Sequence, residues 1–263
     1  MLKTDIIDQI AAELFEAEKE AVPVQTFTER YPELDETLAY HIQDRLVEMK
    51  IEAENTRQVG WKLGLTSKEK QRMMGVHEPS YGVLLESMQI REDEKISIQP
   101  FIHAKAEPEI AFIMKRELKG PHVTVADVIA ATAYIAPAIE IIDSRFHGFK
   151  FTLADAVSDN SSSSRFVIGE RFYFPENIDL RLLGFVFKRN GELLASGAGA
   201  NVMGHPARAI AWLANRLYKV GKSIKPGEVV LSGSLSTAHE IHAGDHFMAS
   251  FDQIGATSIQ FSK

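Results

Sequence analysis

Two glutamates at the start of an apolar run constrain the fold more than any other feature. In "HAKAEPEIAFIM", residues 103–114, Glu107 and Glu109 stand two positions apart, and the residues after them are apolar without alternation. A continuous apolar run of this length is typical of a strand buried on both faces. Residues i and i+2 of a strand point to the same face. The sequence therefore predicts two carboxylates side by side on a buried strand.

A third carboxylate, Glu140, lies inside another apolar run, "APAIEIIDSR", residues 136–145. Burying an ionised carboxylate costs several kcal/mol. Three explanations stay open: the strand ends are hydrated, one carboxylate is protonated, or a cation lies between them. Without cysteine, three carboxylates suit a hard divalent ion, Mg²⁺ or alternatively Mn²⁺. Such an ion leaves positions open for a chelating 2-oxo acid and stabilises an enolate as a Lewis acid.

Composition excludes several classes of function. The 263-residue chain carries a formal net charge of −7 without a long basic run, which argues against nucleic acid as a partner. It has no cysteine, so disulfides and thiolate chemistry are excluded. No apolar run reaches the roughly 18 residues of a membrane span, and the acidic start does not resemble a signal peptide. We expect a cytoplasmic protein with no membrane partner.

The apolar periodicity changes along the chain and predicts an α+β fold. Residues 1–78 show helical spacing, whereas residues 79–263 alternate short β-type runs with turns, so we expect a helical N-terminal part and a β-rich, metal-binding catalytic domain. The sheet is expected to be mostly antiparallel, interrupted by two helices. Caps and turns are predicted at Asp35, at Thr66 with Glu69 for a helix over Lys68–Met74, at Thr124 with Asp127, at Pro206, and in a hairpin at Arg189–Glu192.

Two further stretches could contribute to a site. In "GWKLGLTS", residues 60–67, Lys62 could bind a substrate carboxylate, transfer a proton if burial lowers its pKa, or extend to solvent. The polar loop "SDNSSSSRF", residues 158–166, contains Ser161 and could bind a carboxylate or form a plain turn. His103 and His205 are interpreted as structural, with a pocket role open for His103.

These segments together resemble the hydratase/decarboxylase branch of the fumarylacetoacetate hydrolase superfamily. The resemblance covers nearly the whole chain and includes "GWKLGLTS", "PSYGVL", "AEPEIAF", "AIEIIDSR", "SDNSSSSRFVIG", "GHPARAIAWLAN" and "GEVVLSG". It implies a distorted mixed β-roll or barrel with a helical N-terminal part. It also implies Mg²⁺, with Mn²⁺ as the alternative ion. The implied residues are Glu107, Glu109 and Glu140 as metal ligands, Lys62 as the catalytic residue, and Tyr81, Ser161 and Arg145 as substrate-binding residues.

The branch includes two reactions, and the resemblance favours one. "GLTSKEK", "PSYGVL" and "DSRFHGFKF" look more like decarboxylases of 2-oxohex-3-enedioate (4-oxalocrotonate), a small 2-oxo dicarboxylic acid, than like hydratases of 2-hydroxypenta-2,4-dienoate. Hydratase activity stays the alternative, followed by a C–C hydrolase and a metal-binding module without activity. The resemblance also implies a homo-oligomer that pairs with the pathway hydratase.

Overall fold

The structure, a computed structural model, describes residues 2–73, 75–92 and 94–263. Within these residues it contains seven α-helices and thirteen strands. The helices are α1 (Leu2–Lys19), α2 (Phe27–Arg30), α3 (Glu36–Glu54), α4 (Lys68–Met73), α5 (Val125–Ala131), α6 (Leu153–Ser158) and α7 (Pro206–Tyr218). The strands are β1 (Gln58–Gly64), β2 (Ser80–Leu85), β3 (Gln89–Ile90), β4 (Lys95–Ser97), β5 (Lys105–Met114), β6 (Thr132–Ile142), β7 (Ser163–Ile168), β8 (Gly184–Arg189), β9 (Glu192–Ala198), β10 (Val229–Leu231), β11 (His239–Glu240), β12 (His246–Phe251) and β13 (Gly255–Ser262).

An eight-stranded sheet forms the centre of the molecule. Its order is β2-β1-β10-β5-β6-β7-β3, and β11 pairs with one end of β5. The antiparallel β5–β6 pair is the longest ladder in this sheet. Most residues of these two strands are buried, as their continuous apolar runs predict. Side chains from both strands can therefore reach an interior site.

The larger sheet is completed by a parallel pairing between distant parts of the chain. Gly60 of β1 lies opposite Val229 of β10, and Lys62 lies opposite Leu231. A Cβ atom on Gly60 would lie only 1.9 Å from the carbonyl oxygen of Val229. Glycine at this position is what lets the two strands approach each other.

A five-stranded sheet, ordered β4-β13-β12-β8-β9, packs against the larger sheet through β12 and β13, which contact β6. Its β8–β9 hairpin turns at Asn190 and Gly191, with φ angles of 54° and 87°. The sequence predicted this turn because asparagine and glycine tolerate positive φ. The predicted hairpin is confirmed.

The N-terminal helices cover one side of the larger sheet. Helices α1 and α3 pack together through Ile10, Leu14, Ile42 and Leu46, all nearly fully buried. Helix α3 begins at the predicted cap, because the Asp35 carboxylate accepts a hydrogen bond from the Leu38 backbone N–H. None of the described helices is long and apolar enough to cross a membrane.

The structure changes several details of the sequence-based interpretation. The Thr124–Asp127 capping box is confirmed, but Ser67, not Thr66, caps α4 by accepting from the Lys70 backbone N–H. The predicted end of α4 at Met74 lies outside the described residues. Helix α6 was not predicted, and three strand pairs are parallel: β1–β10, β3–β7 and β4–β13. The proposed boundary after residue 78 falls between β1 and β2, which are adjacent strands.

Candidate metal centre and active site

Strand pairing brings the three predicted glutamates together. Glu107 of β5 lies directly opposite Glu140 of β6, and Glu109 follows two residues along β5 on the same face. One carboxylate oxygen from each residue lies within 4.8 Å of the other two. Glu107 is 7% exposed, and Glu109 and Glu140 are fully buried. The three residues form a compact, acidic interior cluster.

The cluster has the unsatisfied oxygens expected of a cation site. Glu109 Oε2 accepts a hydrogen bond of 2.7 Å from the Gly233 backbone N–H. Among the described residues, Glu109 Oε1 and Glu140 Oε2 have no hydrogen-bond partner. Buried oxygens rarely stay unpaired, because losing hydration without a new partner is costly. An all-carboxylate set of this kind fits a hard divalent ion.

The pKa values of the glutamates also indicate a cation site. Burial, followed by the charges of Glu140 and Glu107, raises the pKa of Glu109 well above its ordinary value. Burial also raises the pKa of Glu140, although the ammonium of Lys62 opposes this. Like charges this close cannot all ionise cheaply. A divalent cation would let all three glutamates ionise together.

Lys62 lies beside the glutamates on β1. It is 2% exposed; its Nζ atom is 3.0 Å from Glu140 Oε1 and donates a hydrogen bond of 3.0 Å to the Ser161 carbonyl oxygen. Burial alone lowers the pKa of Lys62, but the negative charges of the three glutamates outweigh burial and raise it. A pKa lowered by burial, which was the condition attached to proton transfer, is therefore not found in the charged cluster, where Lys62 carries its proton.

A left-handed turn positions the Ser161 carbonyl oxygen that Lys62 contacts. Asn160, Ser161 and Ser162 have φ angles of 49°, 52° and 57°. This region costs roughly 1–2 kcal/mol per non-glycine residue, and such strain is typical of functional sites. The Asn160 side chain pairs with both the N–H (2.8 Å) and the C=O (2.9 Å) of Val83, as a neighbouring strand would. The Ser161 hydroxyl donates to the Tyr81 carbonyl oxygen at 2.9 Å.

Arg145 supports this turn by binding Asp159, the residue that precedes it. Its fully buried guanidinium donates a very short hydrogen bond to the Asp159 carboxylate and a 2.7 Å bond to the Asp159 carbonyl oxygen. Asp159 immediately precedes the left-handed turn. The structure thus places Arg145 at the base of the turn, where it is bonded to Asp159, and its expected contact with substrate stays a prediction.

The Tyr81 ring packs against two other aromatic residues, and its expected role in substrate binding stays a prediction. Its ring stacks on Tyr40 of α3 at 4.3 Å and meets Trp61 edge-on at 5.8 Å. Adjacent residues of a strand point to opposite faces, and the next residue, Gly82, is the one whose added Cβ would lie 3.1 Å from the Lys62 side chain. The Tyr81 ring therefore packs on the helical side of the sheet, and only its backbone carbonyl supports the site.

Sequence reasoning missed Lys70, a second lysine of the cluster. Lys70 of α4 places its Nζ atom 2.9 Å from Glu107 Oε1. Burial alone would raise the pKa of Glu107, but Lys70 and Lys62 outweigh it and lower that pKa. The available signal was the position of α4 directly after the strand that carries Lys62. The two histidines that the sequence analysis interpreted as structural make contacts outside the cluster. His205 caps α7, and His103 packs on Phe149.

A curled mixed sheet that presents three buried glutamates and a lysine defines a metal-dependent enzyme of the fumarylacetoacetate hydrolase type. Residues 52–261 match the family model described as fumarylacetoacetate (FAA) hydrolase C-terminal, and the chain belongs to this family. The expected fold class and the resemblance to the hydratase/decarboxylase branch are confirmed.

Three comparisons illustrate this relationship. The chain is 40% identical to a 2-hydroxyhexa-2,4-dienoate hydratase of Comamonas testosteroni over 100% of both chains. It is 39% identical to a 4-oxalocrotonate decarboxylase of Pseudomonas putida over 96% of this chain and 95% of the relative. The solved structure of 4-oxalocrotonate decarboxylase from Pseudomonas putida G7 complexed with magnesium and adipate superposes with a TM-score of 0.94, at 36% identity over 98% of each chain.

Proposed function

We propose that the protein is a Mg²⁺-dependent lyase that decarboxylates 2-oxohex-3-enedioate to 2-hydroxypenta-2,4-dienoate and CO₂ in the degradation of aromatic compounds. The observation that carries the proposal is the buried cluster of Glu107, Glu109 and Glu140 with its unpartnered oxygens. It is supported by similarity to a decarboxylase solved with magnesium and a six-carbon dicarboxylate, adipate. We expect Mn²⁺ to substitute for Mg²⁺ and the cytoplasm to be the location.

The chemistry follows from charge. The three glutamates would hold the divalent ion, which, when bound, supplies a Lewis acid for the C1 carboxylate and the C2 keto oxygen. When the C5–C6 bond breaks, its electron pair moves through the conjugated chain to the C2 oxygen, and C6 leaves as CO₂. Lys62 holds a proton in the same buried cluster, and a divalent ion on the glutamates would offset the negative charges that raise its pKa. Nζ could then donate that proton to the C2 oxygen, which gives the dienol.

Ser161 fixes the direction from which Lys62 acts. Its carbonyl oxygen accepts from Lys62 Nζ at 3.0 Å, so one ammonium proton is committed to the turn and another to Glu140. The remaining proton is available for the substrate, since an ammonium has three donors. Arg145 and Asn160 contribute by holding the turn in place.

Hydratase activity is the second candidate, favoured by the 40% identity to the Comamonas hydratase. The test supplies purified protein and Mg²⁺ with 2-oxohex-3-enedioate and, separately, with 2-hydroxypenta-2,4-dienoate. CO₂ release from the first compound, with no loss of the second, supports the decarboxylase. Dienol loss without CO₂ release establishes the hydratase instead. If the protein catalyses neither reaction, the proposal is overturned.

We further propose that the chain forms homo-oligomers and pairs with the hydratase of its pathway. An exposed aromatic patch supports this association: Tyr134, Phe172 and Phe174 are 39–60% exposed, and the ring centroids of Phe172 and Phe174 lie 6.0 and 5.3 Å from that of Tyr134. Exposed apolar patches commonly mark protein interfaces. Sedimentation velocity with and without a cognate hydratase tests the proposal, and a strictly monomeric species at high concentration contradicts it.

A further inference from the structure

Two lysines contact the glutamate cluster from different depths. The Lys62 side chain is 3% exposed and lies against Glu140, whereas the Lys70 side chain is 26% exposed and lies against Glu107. Lys62 is carried by a strand of the central sheet. Lys70 is carried by α4, a six-residue helix between β1 and β2. Lys70 is therefore the cation on the solvent side of the cluster.

The contact between Lys70 and Glu107 cannot keep its strength once a divalent ion binds. An ion held by Glu107 neutralises that carboxylate and repels the Lys70 ammonium. Among the described residues, Glu107 is the carboxylate that Lys70 pairs with. The lysine side chain is a flexible four-carbon stem that ends in a compact charge. Lys70 would then be free to pair with another anion within reach of the same stem.

A dicarboxylate substrate brings such an anion. Its 2-oxo acid end would bind the ion held by the glutamates, which leaves its other carboxylate to pair with a second cation. Lys62 is not available for that carboxylate, because two of its protons are directed to Ser161 and Glu140 and the third is assigned to the C2 oxygen in the proposed reaction. Lys70, on the solvent side, is the remaining lysine that contacts the cluster within the described chain.

We propose that Lys70 determines specificity: it pairs with Glu107 before a divalent ion binds and afterwards holds the distal carboxylate of the substrate. The proposal rests on the proposed function and adds to it the residue that distinguishes dicarboxylates from monocarboxylates. Lys70 is a binding residue here, and it takes no part in the transfer of the proton.

The first test measures the metal alone. Calorimetric titration of Mn²⁺ compares the wild type with Lys70→Met and with the matched control Lys68→Met. Lys68 lies on the same helix, but its Nζ atom donates to Gln71 instead of a glutamate. Lys70→Met should bind Mn²⁺ up to about fivefold more tightly, the scale of a partly exposed ion pair, and Lys68→Met should match the wild type. Weaker Mn²⁺ binding by Lys70→Met would overturn the proposal.

The second test uses two unreactive keto acids that differ only in the distal carboxylate, 2-oxoadipate and 2-oxohexanoate. With saturating Mg²⁺, the wild type and Lys68→Met should bind 2-oxoadipate at least about tenfold more tightly, as expected for a charged hydrogen bond. Lys70→Met should lose this preference while its affinity for 2-oxohexanoate stays within about twofold. If Lys70→Met keeps the preference, or weakens both ligands equally, Lys70 is not the specificity residue. If the wild type binds neither keto acid, the proposed function fails and this inference with it.

Discussion

At the scale of single residues, Lys62 is the side chain on which the proposed reaction depends most. We expect Lys62→Met and Lys62→Arg each to lower kcat about 10²-fold or more at saturating Mg²⁺, because methionine has no proton to give and arginine barely releases one. Steady-state kinetics on 2-oxohex-3-enedioate measures the effect. If Lys62 only binds the substrate, Lys62→Arg should instead keep part of kcat and mainly raise KM. Near-native kcat/KM in Lys62→Met would show that this lysine takes no part in the reaction.

Sequence patterns predict some site residues and miss others for a physical reason. Glu107 and Glu109 could be found because two-residue spacing and apolar surroundings are local properties of one strand. Lys70 and Asn160 could not, because their partners, Glu107 and Val83, lie 37 and 77 residues away. The face of β2 from which the Tyr81 ring projects could not be predicted either, because the sequence does not say which face of that strand meets the glutamates.

At the scale of elements, the left-handed turn at residues 160–162 depends on the Asn160 side chain. Asn160→Ala removes two hydrogen bonds and leaves the Val83 N–H and C=O unpaired, so we expect a loss of about 2 kcal/mol in the free energy of unfolding. The Ser161 carbonyl oxygen should shift with the turn and lower kcat. Chemical denaturation and kinetics measure the two effects.

The control for this variant is Asn55→Ala at the end of α3. Asn55 is also left-handed, with φ of 48°, but its side chain is exposed. The control thus isolates the cost of placing alanine in this backbone region, without loss of buried hydrogen bonds. Equal destabilisation by the two substitutions would mean that the pairing with Val83 contributes nothing.

A second element-scale prediction concerns how α1 is attached. Glu18 of α1 is bonded to Lys50 of α3 at 2.8 Å and lies 3.8 Å from Arg145. Burial alone would raise the pKa of Glu18, but Lys50 and Arg145 outweigh it and lower the pKa from 4.5 to about 2. A lowered carboxyl pKa contributes stability that is full above the unfolded value and lost as the pH falls through the folded value.

The free energy of unfolding should therefore fall between pH 4.5 and about 2, with Glu18 contributing on the order of 2 kcal/mol. In Glu18→Gln this part of the acid dependence should be missing, while the matched variant Glu16→Gln, on the exposed face of α1, should keep it. Denaturant titrations across this range provide the measurement. Parallel pH profiles for the wild type and Glu18→Gln would show that the contact carries no net stability.

Prediction of elements from the sequence succeeded at most local caps and turns, and the cap of α4, which is Ser67 instead of Thr66, is the exception. Asp35, the Thr124–Asp127 box and the Asn190–Gly191 turn are each defined within a few residues. Strand β1 was grouped with the N-terminal helices although Val59, Trp61 and Leu63 alternate with polar residues and glycines, because its partners are fixed by tertiary pairing. Helix α6 is too short for periodicity to reveal it.

At the scale of the whole molecule, a divalent ion should act as part of the folded structure. Because it binds the folded chain, Mg²⁺ should raise Tm in a concentration-dependent way, and chelation should abolish turnover while leaving far-UV circular dichroism unchanged.

Glu109→Gln should raise Tm above that of metal-free wild type, because one of three repelling carboxylates is gone, and should lose most of the Mg²⁺ shift. Scanning calorimetry with and without EDTA measures both. An unchanged Mg²⁺ shift in Glu109→Gln would mean that the ion binds elsewhere.

The parallel pairing of β1 with β10 has a consequence for the order in which the molecule is made. Strand β1 can pair with β10 only after residues 229–231 have been synthesised, because these residues pair with residues 60–62. The central sheet is therefore completed only when most of the chain has left the ribosome. Contacts between such distant segments slow folding, since a long loop must close before the contact forms. A nascent chain can thus pair β5 with β6 and bring the three glutamates together well before β10 is available to place Lys62 beside them. During that interval the apolar strands β5 and β6 lack a neighbour on the β10 side, which makes them the natural segments for a chaperone to cover.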